Sequence, residues 1–264
     1  LPDLSSIAPS IAADLPSLGA LGPAVAIVAF SAVFRGFTGF GFAIIAVPLL
    51  SLAMPPILAV SLSAGLQLLG GLMDVRSASR LCHWPSVRWL AAGAVVASPL
   101  GTLLLARLSP DLARLFLAAA CGAAVIALAS GFGFRGLAGR WATLGAGVLS
   151  GLFNGLAAMP GPPALAYYLA MPLQPAQVRS SLMVFFLLSA VLSTGSLVAV
   201  GAIGRAETVL ILAGLPLMLV GSRIGAALFR RAGGAHRGIS LATLALVALL
   251  TAARGLNGLL STGP

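Results

Sequence analysis

A chain of 264 residues that is 59% hydrophobic and only 8% charged, with a mean hydropathy of +1.09, cannot clothe itself in charge as a soluble domain of this size must. It reads as an all-α polytopic membrane protein, with the lipid bilayer as its first partner. Fifteen basic residues, all arginine, against five acids leave a net charge of +10. The arginines fall mostly in short connections between apolar runs, where headgroups and topology account for them, so no nucleic-acid partner is expected.

Residues 1–20 carry Asp3 and Asp14 but no basic residue, so they lack the positive n-region of a signal peptide. They are expected to form an interfacial or loosely ordered lead-in. Eight apolar blocks follow, at about 21–54, 57–73, 89–106, 114–134, 141–171, 180–203, 208–229 and 238–260. Most suit one helical crossing of about 20 residues. The first and fifth are too long: as unbroken helices they would reach about 45 Å against a hydrocarbon core of about 30 Å. Each is also interrupted, by "RGFTGFG" and by "FNGLAAMPGPP". Each is therefore a tilted broken helix or a re-entrant hairpin of two half-helices.

Arginine placement separates these options. If all eight blocks cross, the arginines of the connections divide seven to six, which orients nothing. If blocks one and five fold back, only Arg107, Arg114, Arg205 and Arg254 collect on one side and the other nine lie opposite. The positive-inside rule thus favours two hairpins, six crossings and both termini outside the cytoplasm. The halves 21–134 and 135–264 then form one integral membrane domain of two inverted repeats, each a broken or re-entrant helix hairpin followed by three transmembrane helices. Traces of duplication agree: "SPLGTLLLAR" (98–107) is similar to "SRIGAALFRR" (222–231), and Gly41 stands 120 residues before Gly161.

The run "GFTGFGFAIIAVPLL", followed by "GLFNGLAAMPGPPALAYYL" and "RSSLMVFFLLSA", resembles the sulfite exporter TauE/SafE family, also called the toluene sulfonate uptake permease family. The resemblance spans about 20–260. It implies a secondary transporter of small, often sulfur-containing anions such as sulfite or organosulfonates, in a bacterial cytoplasmic membrane.

The residues themselves suit an anion. The start of a half-helix offers N–H groups and partial positive charge, and glycine lets a ligand approach backbone closely. Gly36, Thr38, Gly39 and Gly41 on one tip, with Asn154, Gly155, Gly161 and the Pro162–Pro163 pair on the other, are expected to face each other around a midplane site. Their competing reading is kinking and close helix packing. Arg35 is the sharpest candidate, since an arginine in a membrane normally faces a cavity or a partner. No acid is expected beside it in an apolar core, which leaves carbonyls, water or the transported anion as its partners; snorkelling or capping is the alternative. Arg179, at the head of the sixth block, serves either the site or topology. Tyr167 and Tyr168, after the second break, either contact substrate or, the more frequent case, join Trp84, Trp89 and Trp141 in an interfacial belt.

With no acid or histidine expected in a core segment and no phosphate-binding loop, neither a proton relay nor ATP is invoked. Potential and concentration are the expected driving forces, with sodium left open. Cys82 and Cys121 fit neither a disulfide framework nor a metal cluster, and no cofactor is expected. An enzyme would need a nucleophile beside a base, which the core serines lack. An anion-selective channel, and then an assembly partner, are the competing functions; a homo-oligomer is left open.

Overall fold

The computed structural model describes residues 18–38, 41–130, 139–232 and 236–261. Gly39 and nearly all of the lead-in lie outside them. The described residues form helices α1 (Leu18–Thr38), α2 (Phe42–Ala53), α3 (Pro56–Ala78), α4 (Trp84–Arg107), α5 (Pro110–Ser130), α6 (Arg140–Ala157), α7 (Gly161–Ala170), α8 (Pro175–Ala199), α9 (Arg205–Ala232) and α10 (His236–Ser261).

Proline begins several of them. Pro56, Pro85, Pro110, Pro162 and Pro175 stand in first turns, where the missing N–H costs nothing and the fixed φ suits a helix. Apolar stretches of 21 to 24 residues in α3, α4, α8 and α9 are long enough to cross a membrane. Large apolar side chains point outward from them, Val96 and Val209 among the most exposed. Such a surface is a liability in water and is at home in lipid.

Both long blocks break where expected. The first ends its break at Gly41, whose φ of 92° lies in the left-handed region open to glycine. The second breaks over 158–160, between the end of α6 and the start of α7.

Contacts then fix helix directions. Along α3 and α9, Gly65 meets Ile211, Leu66 meets Gly214 and Gly70 meets Met218, so these two run the same way. α1 runs with them, since Gly221 lies against Ala29 and Ala32 while Gly225 lies against Val33 and Phe37. α4 and α6 are parallel to each other, with Leu90 on Gly147, Ala94 on Gly151 and Ser98 on Gly155. α8 opposes α3. Ser61, near the start of α3, donates to the Ala202 carbonyl just past α8 (3.1 Å), and the His83 N–H, just past α3, donates to Ser181 Oγ near the start of α8 (2.9 Å).

Because α1 and α3 run the same way and only residues 54–55 separate α2 from α3, α2 must return alongside α1. The second block does the same. Thr143, near the start of α6, donates to the Tyr167 hydroxyl near the end of α7 (2.9 Å). Both interrupted blocks are therefore helical hairpins, and the tilted broken helix left open by the sequence is set aside.

The principal helix partners are α1 with α9, α6 with α4, α3 with α8 and α5 with α10. A constant register relates α1–α3 to α6–α8. Pro56 and Pro175, first residues of α3 and α8, are 119 residues apart (175 minus 56). The same separation relates Phe42 to Gly161, first residues of α2 and α7, and Gly36 to Gly155. A Cβ on Gly36 would fall on the Ser222 carbonyl, and one on Gly155 on the Ser98 carbonyl. Gly161 thus corresponds to Phe42, one position from the Gly41 match read in the sequence.

Candidate functional site

The hairpin tips meet at the middle of α3 and α8. Gln67, the central residue of α3, donates from Nε2 to the Ala158 carbonyl in the second tip (3.0 Å). That bond serves an unusual turn, since Ala158 holds φ at 51° without being glycine. Gly41, Gln67 and Phe186 border two adjoining narrow pockets. One is also lined by Ile44, Ala158, Pro160 and Gly161, the other by Arg35, Phe42, Gly71, Asp74, Met183 and Leu187.

Arg35 is not left to carbonyls, water or a substrate. Its Nη2 donates to Asp74 Oδ2 at 2.6 Å and its Nη1 to Ser222 Oγ at 3.3 Å. The expectation of no neutralising acid is overturned: Asp74 lines the same pocket as Arg35. Asp74 follows the apolar block 57–73 directly, and α3 carries it on to Ala78. Since α1 and α3 rise together, residues near their C-terminal ends come level. The arginine count implied that α1 and α3 run the same way, but not which of their side chains would meet.

The tips also differ in what they offer an anion. At the start of α2, first-turn N–H groups lack carbonyl partners within their own helix and present partial positive charge beside Gly41. At the start of α7, Pro160, Pro162 and Pro163 have no N–H at all. The donors expected from both tips are concentrated in the first.

Among the sequence candidates, Arg35, Gly41 and Gly161 line the pockets. Gly36 and Gly155 sit instead where α1 crosses α9 and α6 crosses α4, with backbone filling the space a side chain would need. Thr38 closes α1. Arg179, the fifth residue of α8, is exposed and lines neither pocket. Asn154 is buried and ties three helices together, its Nδ2 donating to Ser98 Oγ (2.9 Å) and to the Ser189 carbonyl (2.7 Å).

Asn154 stands 119 residues after Arg35 (154 minus 35), and both side chains bond the serine of the facing helix, Ser98 or Ser222. One contact is made twice, once by a cation and once by a neutral amide. The tyrosines depart from the belt expected of them. Tyr167 and Tyr168 are buried; Tyr167 joins the two arms of the second hairpin through Thr143, and the Tyr168 hydroxyl pairs with Ser86 Oγ of α4 at 2.8 Å, tying the hairpin to its neighbour. Gln67, a polar residue of the second apolar block that could line a passage or join helices, does border both pockets, whereas Asp74 is a pocket residue the sequence did not single out.

A family model described as sulfite exporter TauE/SafE matches residues 24–252. The chain belongs to the TauE/SafE family. No curated protein and no solved structure matches it. Membership in this transporter family, with the apolar spans of α3, α4, α8 and α9, makes the chain an integral membrane protein and accords with a role in transport rather than enzymatic chemistry.

Proposed function

We propose that this TauE/SafE protein is a secondary transporter that exports small sulfur-containing or organic anions, such as sulfite or organosulfonates, across a bacterial cytoplasmic membrane. The observation that carries the reading is the pocket where Arg35 stands beside Gly41 and the start of α2. A guanidinium supplies planar, charge-assisted hydrogen bonds suited to sulfonate oxygens, and the helix start adds N–H donors. Thr38 and Gly39 belong to the same tip by position, and Gly161 forms the opposing wall. Gly36, Gly155 and Asn154 hold the helices that carry the tips, and Arg179 belongs to topology.

Two inverted repeats would supply alternating access. The constant register supports this, as does the antiparallel pairing of the corresponding helices α3 and α8. A twofold axis relating antiparallel neighbours runs across them, and hence in the membrane plane. The arginine distribution supports a position on the cytoplasmic side of the midplane for the C-terminal end of α3 and the Arg35 pocket. Narrow pockets favour a carrier over an open channel. For a singly charged anion leaving a negative interior, the potential contributes about 2.3 kcal/mol per 100 mV.

The test is uptake into proteoliposomes of sulfite, sulfoacetate, taurine and lactate under an imposed potential, beside Arg35→Gln. Saturable flux for an anion of this class, lost in the variant, is expected. Flux linear in concentration would point to a channel, and no flux of any of the four would overturn the reading.

A further inference from the structure

Resting on that reading, we infer that Asp74 is the site's internal counter-anion: it takes over Arg35 whenever the transported anion leaves, so the empty carrier can return across the membrane. Asp74 and Arg35 line the same pocket, 2.6 Å apart, on different helices. Their side chains keep 19% (Arg35) and 39% (Asp74) of their exposure, so the pair is reachable rather than sealed. An anion binding Arg35 competes with Asp74 for the same guanidinium.

The second half shows that the architecture does not require a charge pair here. Its counterparts, 119 residues on, are Asn154 and Ser193. They hold the equivalent junction with neutral hydrogen bonds, Asn154 to Ser98 and Ser189 and the Ser193 hydroxyl to the Asn154 carbonyl (3.5 Å). The ion pair in the first half therefore serves something beyond packing the tip.

Alternating access supplies the need. A carrier that closes around an empty site must bury whatever charge the site contains, and an uncompensated guanidinium is costly to bury. With Asp74 present, Arg35 is paired both with and without substrate, and the carrier completes a cycle of net export. Without it, only a bound anion neutralises Arg35, and the carrier is confined to exchanging one anion for another.

The experiment loads proteoliposomes with radiolabelled sulfite and follows its release into buffer with or without unlabelled sulfite. Wild type should release label into sulfite-free buffer within about threefold of the exchange rate, whereas Asp74→Asn should lose net release by about tenfold or more while keeping exchange within about threefold. Asp74→Glu, which keeps the charge, should preserve net release. A merely structural role would lower both fluxes together and leave their ratio unchanged, which in a folded D74N protein would overturn the inference. So would wild type that only exchanges, and that result stands even if D74N does not fold. Absence of both fluxes in wild type would overturn sulfite transport itself, and this inference with it.

Discussion

Alanine at Gly36 and Gly155 separates a packing role from contact with substrate. At Gly155 a new Cβ meets the Ser98 carbonyl, the Thr102 nitrogen and Gly101 Cα; at Gly36 it meets the carbonyl, carbon and Cα of Ser222. Every one of these is backbone, so relief requires the helices to move apart. Overpacking costs about 1–3 kcal/mol, and clashes with unyielding backbone put these two sites in the upper part of that range, about 2–3 kcal/mol, offset by the roughly 1 kcal/mol that alanine gains over glycine in a helix. Each variant should be destabilised by about 1–2 kcal/mol, or roughly 2–8 °C in melting temperature for a chain of this size. Gly122 in α5 has nothing within 4 Å of its Cβ position and is the control, expected to gain from alanine. Thermal unfolding in detergent micelles, read by tryptophan fluorescence, makes the comparison. If G36A and G155A melt at or above the wild-type temperature, the packing argument fails; unchanged melting with weakened sulfite binding would return both glycines to the substrate site.

Gln67→Leu leaves the Ala158 carbonyl without its side-chain donor in a turn that already uses a left-handed alanine, and should cost about 1–3 kcal/mol. An unchanged melting temperature would show that the tips do not depend on this bond. Tyr167→Phe removes one of the two partners of Thr143, the other being the Gly139 carbonyl, and should cost about 1 kcal/mol, an effect that should vanish in a Thr143→Val background if the two groups act as a pair. Cys82, in the connection between α3 and α4, has its thiol pKa raised by burial, against a lowering contribution from a hydrogen bond with Ser181. A raised thiol pKa means less thiolate at any given pH, so maleimide labelling should be slower than in the unfolded chain and should rise at higher pH. Coincident pH profiles for folded and unfolded protein would contradict that placement.

Much of the architecture was written in the sequence because a bilayer reduces folding to a few questions. Apolar block lengths, proline and glycine at block ends and the uneven arginines point to helices, breaks and hairpins, since lipid solvates neither charge nor unpaired backbone. The two interruptions, their folding back and the family are all legible there. So is Arg35 as a residue needing a partner.

What only the tertiary structure decided is which groups share a space. Glycine in a membrane helix looks the same whether it admits a ligand or a neighbouring backbone, and only the crossings of α1 on α9 and α6 on α4 assign Gly36 and Gly155 to packing. Asp74 lies outside an apolar block on paper. It reaches Arg35 because α3 rises beside α1, and an ion pair depends on distance in space, which hydropathy along the chain does not encode. The same holds for Asn154, Tyr167 and Tyr168. Their partners come from other helices, so sequence alone shows only that polar groups were buried, while the fold determines what satisfies them.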